Sequence, residues 1–484
     1  MAVAALLLVP LLTMLLVRFL PARMLGGTQL GGATLTLLLA LATAIAAIDA
    51  PIDHSPLYVD ALSGLLLAVV ALVGWLGAAY AIGYTQHDVA ARRITAGQVR
   101  WFYIWYHLFV LTMLAVLVTD NLGLMWAAIE ATTLASAILV GFYRTREALE
   151  AAWKYLILCT VGISFALFGV LLLSAAGIQA GLLGDAALSW RELRAAGAAL
   201  DPQMVRLAFL FILVGFGTKV GFAPLHTWLP DAHSQAPTPV SAVLSGVLLP
   251  CAIYGIVRAQ GIAAAAGSGG LASALLIGAG LLSILIAIPF ILVQHDLKRL
   301  LAYSSIEHMG IIAVAVGIGG PVALYGGLLH LILHAIGKAV LFISAGAIVE
   351  RFGTRELTRI VGAARAMPLT GMALLIAGLA LTGIPPSGLF VSEFTIVAGG
   401  FRGGYALATG LLVAGIALAA VGITFHFGRA VLGEGRGVRT GRESHGQRLL
   451  VGVPLLALIV AGLWLPPPLA EAIERAVRDS GLPL

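Results

Sequence analysis

Three titratable residues share one face of an apolar segment near residue 330. The segment reads GGLLHLILHAIGKAVLFISAG, and it spaces His330, His334 and Lys338 four residues apart. Residues four apart lie above one another on an α-helix, and histidine titrates near neutral pH. We therefore predict that this row passes protons, directly or through water. A packing role and a metal site are the alternatives; a metal is disfavoured because no carboxylate accompanies the row in this segment.

Three more charges lie inside apolar segments. Glu130 occurs in DNLGLMWAAIEATTLASAILVGFY, Lys219 in FGTKVGFAPLHTWLPDAHSQAPTPVSA and Glu393 in LTGIPPSGLFVSEFTIV. A charge within a bilayer is costly and usually faces an opposite charge or a wet path. We predict that Glu130 is a proton-handling acid paired with Lys219. A purely structural ion pair and, for the lysine, a snorkelling side chain are the alternatives.

Two of these segments are interrupted by helix-breaking residues. Gly221 and Pro224 interrupt the segment of the lysine, and Pro385, Pro386 and Gly388 interrupt the segment before the last carboxylate. Helices broken at membrane depth are tolerated where they line a cavity. Corresponding breaks in two halves of a chain indicate an inverted repeat with sites near the bilayer midplane.

Further titratable residues are secondary candidates, interpreted first as structural or solvated groups. They follow the first break or open the tenth apolar segment: His226, Asp231, His233, Glu307 and His308.

All of these residues lie in or beside predicted membrane spans. The chain of 484 residues is 60% hydrophobic and 10% charged, against about 25% charged in soluble domains. Apolar runs of roughly 18–25 residues recur, each able to cross a ~30 Å hydrocarbon core. The prediction is an all-α polytopic membrane protein of about fourteen transmembrane helices, the first of which is expected to be a span and not a removed signal peptide. The predicted units are a three-helix segment (1–100), two inverted five-helix repeats (spans 4–8, 101–260, and spans 9–13, 261–430, with helices 7 and 12 broken), and a last helix with a short, weakly amphipathic surface tail (431–484).

The basic residues predict the orientation of the spans. With the N-terminus outside, nineteen of the 28 Lys and Arg residues fall in inner loops, seven fall outside, and Lys219 and Lys338 lie within spans. Short cytoplasmic loops are enriched in Lys and Arg. The bias supports an even number of spans with both termini outside.

Several functions are excluded by missing motifs. The sequence has no phosphate-binding loop, no dinucleotide fingerprint and only two cysteines, Cys159 and Cys251, far apart in apolar runs. These fit neither a metal quartet nor a disulfide framework. The basic residues are scattered through short loops, which disfavours nucleic acid as a partner. No cofactor and no metal is expected in this chain.

Together these motifs resemble the antiporter-like subunits of respiratory complex I and its relatives, over roughly residues 50–440. LGLMWAAIEATTLASA, YSSIEHMGIIA and SGLFVSEF are most similar to component F of hydrogenase-4-type complexes, and next to the subunit M type of complex I. The resemblance implies that Glu130 and Lys219 form the proton-input ion pair. It also implies that His330, His334 and Lys338 form the central relay, with Glu393 as the exit carboxylate.

The resemblance implies a proton-translocating subunit of a redox-driven complex in a bacterial or archaeal cytoplasmic membrane. Its implied partners are other membrane subunits and, indirectly, peripheral Fe–S/NiFe or NADH-oxidising subunits. An Mrp-like Na⁺/H⁺ antiporter, a non-pumping membrane scaffold and a quinone- or hydrogen-reacting subunit are the alternatives. One position departs from the family: the eighth span offers only Ser241, Ser245 and Pro250 where many relatives carry a titratable Lys or His.

Overall fold

The structure is a computed structural model that describes residues 2–54, 56–434, 441 and 443–482. Within that part the chain forms a helical bundle with one short β-hairpin. The helices are α1 (Ala2–Phe19), α2 (Leu25–Asp49), α3 (Ala61–Ala90), α4 (Ala96–Leu117), α5 (Leu122–Val140), α6 (Arg146–Gln179), α7 (Trp190–Ala196), α8 (Pro202–Val220), α9 (Trp228–Gln235), α10 (Thr238–Val243), α11 (Leu249–Ala265), α12 (Gly269–Leu292), α13 (Leu297–Ile318), α14 (Gly320–Phe352), α15 (Ala363–Ala366), α16 (Pro368–Leu381), α17 (Gly388–Arg402), α18 (Ala406–Leu432), α19 (His445–Leu463) and α20 (Pro467–Asp479). The hairpin pairs β1 (Ile52–His54) with β2 (Leu57–Val59) in antiparallel register.

The predicted membrane spans are confirmed. Thirteen helices of the described residues are long and apolar enough to cross a membrane. One of them joins α10 to α11 through a widened π-helical turn at Leu244–Leu248. The remaining predicted span, the twelfth, consists of two shorter helices, α16 and α17, on either side of the second break. Three of the residues assigned to inner loops, Arg436, Arg439 and Arg442, lie outside the described residues.

The most buried helices are those that carry the polar residues. The most apolar part of the span formed by α10 and α11 is completely buried. The same is true of α13, and α14 is almost completely buried. The outer helices α1, α2, α6, α18 and α19 expose leucine, isoleucine and phenylalanine side chains instead. An apolar outer surface suits a bilayer or a neighbouring membrane subunit, because neither offers hydrogen bonds to polar groups.

The packing order repeats in the two predicted five-helix units. In the first unit α4 packs on α5, α5 on α6, and α6 on α8; in the second α12 packs on α13, α13 on α14, and α14 on both α16 and α17. Both breaks contain a glycine with positive φ three residues before a proline: Gly221 (φ 85°) before Pro224, and Gly383 (φ 67°) before Pro386. These correspondences support the repeat; its inversion stays a prediction.

The C-terminal segment differs from the expected surface tail. It forms α20, which buries Ala472, Ile473, Ala476 and Val477 and packs against α3 and α14. Its apolar residues recur every three or four positions, so one face docks on the bundle. The hairpin before α3 was not predicted either, because its two strands are only three residues long.

A buried arginine fixes this docking. Arg258, counted from sequence with the outer loops, instead lies inside α11, and its Nη2 is 2.6 Å from both carboxylate oxygens of Asp60. Its Nη1 donates to the backbone carbonyl of Asp479 at 3.0 Å, and its guanidinium carbon lies 4.0 Å from the ring of Trp190. The amide of Ala61 donates to Asp479 Oδ2 at 3.0 Å. These contacts join α3, α11 and α20, and they satisfy a charge that would otherwise be costly to bury.

Candidate functional site

Lys219 is held by hydroxyl groups and an aromatic ring. It lies in the last turn of α8 and has no exposed surface. Its Nζ donates to Thr133 Oγ1 at 2.8 Å and to the hydroxyl of Tyr155, and it lies 4.6 Å from the centre of the Tyr155 ring. Uncharged oxygens and a π face therefore stabilise a buried ammonium. We call Glu130, Thr133, Tyr155, Thr160 and Lys219 the input cluster.

Glu130 is close to this lysine but does not contact it. Thr160 Oγ1 donates to Glu130 Oε1 at 2.9 Å, and Oε2 is buried with no hydrogen-bond partner among the described residues. No direct ion pair joins Glu130 and Lys219 in that part of the chain, so the predicted pair is not a contact in this structure. The physical reason is that Thr133, one turn after the glutamate on α5, and Tyr155 take up the ammonium's hydrogen bonds. The two charges interact at longer range.

The first break lies directly beside the lysine. Gly221 adopts a left-handed conformation (φ 85°, ψ 30°) that ends α8, as glycine commonly does at helix C-termini. The indole of Trp228, at the start of α9, donates to the Thr218 carbonyl at 2.8 Å, and its ring centre lies 4.6 Å from that of Tyr155. The break therefore satisfies a helix-end carbonyl and places an aromatic pair against the ammonium.

The central histidines form a hydrogen-bonded chain across three helices. His308 Nδ1 on α13 lies 2.8 Å from His330 Nε2 on α14, and His330 Nδ1 lies 3.0 Å from Ser392 Oγ on α17. Ser392 Oγ donates to the Leu389 carbonyl at 2.7 Å, so it accepts from His330 Nδ1–H. By this assignment His330 Nε2 is a bare acceptor, and His308 Nδ1 carries the proton between the two rings.

The other members of the row contact different groups. Lys338 is fully buried and donates to the Leu301 carbonyl at 2.9 Å and to Ser304 Oγ. The ring centre of His334 lies 4.9 Å from that of His308. Neither nitrogen of His334 makes a hydrogen bond among the described residues, although the backbone of Ser245 is close. In the row on α14, His334 and Lys338 thus face α13, whereas His330 contacts both α13 and α17.

Two carboxylates adjoin the histidines. Glu307 Oε2 lies 4.0 Å from His308 Nε2. Glu393 on α17 has an oxygen within 4.8 Å of ligand atoms of both His308 and His330. Its Oε1 is buried with no hydrogen-bond partner in the described part of the chain. We call Ser304, Ser305, Glu307, His308, His330, His334, Lys338, Ser392 and Glu393 the central cluster.

The remaining secondary candidates lie outside both clusters. Asp231 forms ion pairs with Lys154 at 3.3 Å and Arg299 at 3.2 Å. The Nδ1 of His233 lies 2.8 Å from a backbone carbonyl of its own helix, and His226 is mostly buried with an unpartnered Nδ1. Among the described residues none of the three is hydrogen-bonded to either cluster.

The eighth span lies between the two clusters. Ser245, in its widened turn, lies 2.7 Å from Ser305 of the central cluster, oxygen to oxygen. Cys251, further along, is near enough to Lys219 to interact electrostatically. Six residues of helix span about 9 Å. Within the described residues no hydrogen bond crosses this interval, so Ser245 reaches only one cluster.

Sequence reasoning missed the hydroxyl groups that hold the charges. A signal was present for Thr133, three residues after Glu130 on the same helix face, and for Ser392, which precedes Glu393. Tyr155 gave no signal, because only the packing of α6 against α8 brings it to Lys219.

Comparison with known proteins identifies the family. Residues 119–419 match the family described as "NADH:quinone oxidoreductase/Mrp antiporter, TM". The chain is 38% identical over 417 residues to the hydrogenase-4 component F homolog of Methylacidiphilum infernorum (isolate V4), covering 86% of this chain and 87% of that protein. It is 33% identical over 366 residues to NADH-quinone oxidoreductase subunit N of Desulforudis audaxviator (strain MP104C), covering 75% and 70%. The chain therefore belongs to the NADH:quinone oxidoreductase/Mrp antiporter family.

Solved structures confirm the fold. A chain of the membrane-bound sulfane sulfur reductase, an archaeal respiratory membrane complex, superposes with a TM-score of 0.88 at 24% identity, covering 99% of this chain and 97% of that one. A chain of the Mrp complex from Dietzia sp. DQ12-45-1b gives 0.84 at 22% identity, with 99% and 97% covered. This protein is an antiporter-like, multi-pass membrane subunit of the hydrogenase-4 or complex I type.

Proposed function

We propose that this chain translocates protons across the membrane, driven by electron transfer in partner subunits. The observation that supports the proposal is the set of buried acids and bases in the input and central clusters. Each of their lysines is fully buried, hydrogen-bonded to oxygens that carry no formal charge, and makes no ion pair among the described residues. Charged groups kept in the membrane interior at this cost mark ion and proton pathways in membrane proteins.

The proposed path begins at Glu130 and passes to Lys219. It then passes beside the eighth span, where Ser245 and water carry the proton to Lys338. The histidines then pass the proton to Glu393, beside the second break. The Lys or His that many relatives carry on the eighth span is replaced by water and a serine hydroxyl in this proposal.

Energetics constrain the driving step. Moving a proton against 150–200 mV requires roughly 4 kcal/mol. Unit charges 4 Å apart attract by about 4 kcal/mol at an effective dielectric of 20, and by less at greater distance. Because Glu130 and Lys219 are not in contact, separating them further supplies only part of this work. Changed hydration at Lys219 and repulsion from Lys338 supply the rest.

The proposed setting follows from the family and from the charge bias. The relatives named above are components of hydrogenase-4 and NADH-quinone oxidoreductases. We infer that this chain packs against other membrane subunits and couples indirectly to peripheral Fe–S/NiFe or NADH-oxidising subunits, holding no redox cofactor itself. We place the chain in a bacterial or archaeal cytoplasmic membrane with both termini outside. Once the buried Arg258 is set aside, nineteen basic residues are assigned to inner loops and six to outer loops, which supports this orientation.

The test is Lys219→Met in the complete complex, reconstituted in liposomes with its electron donor. The variant is expected to assemble and transfer electrons but to acidify the lumen at a small fraction of the wild-type rate. The matched control is Lys154→Met, which removes a half-exposed lysine of surface ion pairs and should translocate normally. Unchanged proton translocation in Lys219→Met would refute the relay and favour a scaffold. A strict requirement for Na⁺ in the wild type would favour the Mrp-like alternative.

A further inference from the structure

We propose that His308, His330 and Glu393 form a binding site for one transition-metal dication, with Zn²⁺ as the best match. The bound ion would take the place of the proton shared by the two histidines. Metal binding is separate from proton translocation and does not depend on it, because it is an equilibrium between the ion and these three side chains.

The donor set supports this chemistry. The three residues lie on α13, α14 and α17, and one ligand atom from each lies within 4.8 Å of the others. His308 and His330 have no exposed surface and Glu393 is 6% exposed. Two imidazoles and a carboxylate are ligands that Zn²⁺ prefers in proteins. No carboxylate lies in the row on α14, but the break before α17 brings one to it.

Unpartnered atoms supply a second, independent observation. Glu393 Oε1 is buried without a hydrogen-bond partner among the described residues, and so are both nitrogens of His334. The His334 ring centre lies 4.9 Å from that of His308. Leaving buried polar atoms unpaired is unfavourable. A cation would pair with the carboxylate, and His334 or a water would complete a four-coordinate shell.

One ligand is already oriented by an outer hydrogen bond. His330 Nδ1 donates to Ser392 Oγ at 3.0 Å, and Ser392 in turn donates to the Leu389 carbonyl. This arrangement leaves the lone pair of His330 Nε2 directed at His308. Zinc-binding histidines usually have such a partner on the second nitrogen, which fixes the tautomer and the ring.

Binding requires two small rearrangements. His308 Nδ1 and His330 Nε2 are 2.8 Å apart, whereas two nitrogens on a tetrahedral zinc at 2.0–2.1 Å are about 3.3 Å apart. The rings must therefore separate by roughly half an ångström, and the proton on His308 Nδ1 must move to Nε2 so that Nδ1 can bind the ion. This change of tautomer releases no net proton from the two neutral imidazoles.

The second break offers a route for the ion. Gly383 is partly exposed, and Ile384, Pro385 and Pro386 after it are exposed. A Cβ at Gly383 would lie only 2.0 Å from Glu393 Oε2. The carboxylate is therefore next to an opening in the helix, and the site is one side chain away from the surface.

The experiment measures metal binding to the purified, detergent-solubilised full chain, without turnover. Zn²⁺ is titrated in competition with a chromophoric chelator, and Co²⁺ spectra report the coordination number. We expect one tight ion per chain and the intense Co²⁺ bands of a tetrahedral site. His330→Gln and Glu393→Gln should weaken binding by about tenfold or more.

Two further variants test whether the ion binds at these residues. Ser392→Ala retains every ligand and should still weaken binding by about tenfold, because it releases His330. His226→Gln removes a mostly buried histidine outside the cluster and should bind as the wild type does. Absence of stoichiometric binding, or equal affinity in the wild type, Glu393→Gln and Ser392→Ala, would overturn the site.

Discussion

The Nδ1 of His308 and the Nε2 of His330 lie 2.8 Å apart, so imidazoles on two different helices share a single proton. The outer nitrogen of His308 faces Glu307 Oε2 at 4.0 Å, and the outer nitrogen of His330 contacts Ser392. A proton arriving at one end can therefore release one at the other. Ser392 sets the donor-to-acceptor direction of these hydrogen bonds, because its hydroxyl donates either to the Leu389 carbonyl or to the imidazole of His330.

Ser392→Ala is expected to slow proton translocation about fivefold while electron transfer continues. The substitution removes a hydrogen bond to a buried imidazole, which contributes about 1 kcal/mol, and it leaves the tautomer of His330 undefined. Lumen acidification per electron in reconstituted complex is the measurement. The control is Thr395→Ala, which removes a hydroxyl of the same helix that donates only to the Val391 carbonyl. Equal coupling in both variants would mean that the serine does not orient the relay.

Thr133→Val and Tyr155→Phe are expected to destabilise the charged form of Lys219. Each leaves the buried ammonium short of one acceptor, a cost of about 1–3 kcal/mol. We expect slower translocation and a lower unfolding temperature in detergent. Thr132→Val is the matched control, because that hydroxyl is also buried on α5 but donates to the Ile129 carbonyl. A control as impaired as Thr133→Val would show that the effect comes from helix packing and not from the lysine.

Sequence was sufficient for the spans and for four charged residues of the clusters, Glu130, Lys219, Lys338 and Glu393. It was not sufficient for Glu307 and His308, which were interpreted first as structural or solvated groups but lie in the central cluster. Continuous apolar runs of this length indicate helices, because a helix satisfies its backbone hydrogen bonds within the segment in lipid, and a Lys or Glu within such a run is conspicuous. The sequence did not predict which side chains contact these charged residues. The direct pairing expected of Glu130 and Lys219 is replaced by hydroxyl contacts whose geometry depends on how α5, α6 and α8 pack.

The burial of Arg258 and the docking of α20 were not predicted for the same reason, because both depend on how distant helices pack. An arginine near the end of an apolar run is equally consistent with a loop, and only the fold brings Asp60 to it from 198 positions away. The docking of α20 depends on a groove formed by α3 and α14, which no local pattern reveals.

Gly383→Ala is expected to abolish most translocation by displacing Glu393. Its added Cβ would lie 2.0 Å from the carboxylate oxygen, and its φ of 67° is unfavourable for alanine. Gly404→Ala separates the two effects, because Gly404 has a φ of 81° with open space around it. Both variants should lose similar stability from the backbone, and only Gly383→Ala should lose coupling. Equal activity of the two would show that the position of Glu393 is not critical.

The docking of α20 is expected to weaken as pH rises from acid to neutral. Burial raises the pKa of the half-buried Asp479, assisted by the charge of Asp60 and opposed by the Ala61 amide and Arg258. Because the folded state holds its proton more tightly, stability falls as pH rises from the unfolded value of about 3.9 through the raised folded pKa. Thermal unfolding of wild type and Asp479→Asn in detergent, between pH 4 and 7, measures this. The asparagine keeps an acceptor for Ala61 and should flatten the dependence; parallel curves would exclude Asp479 as its source.

Arg258→Met is expected to be the most destabilising single change outside the two clusters. It leaves the carboxylate of Asp60 buried without its arginine, and breaking a buried pair in this way costs about 3–5 kcal/mol. Replacing both residues, as Arg258→Met with Asp60→Asn, should recover much of the loss, because no unpaired charge remains and the asparagine can still cap α3. Arg359→Met is the comparison, since Arg359 and its partner Glu356 are both exposed and such pairs contribute about 0–1 kcal/mol. Thermal unfolding in detergent and protease cleavage after residue 465 report stability and the release of α20. A double variant no more stable than Arg258→Met would show that the arginine acts through packing on Trp190 and not through its charge.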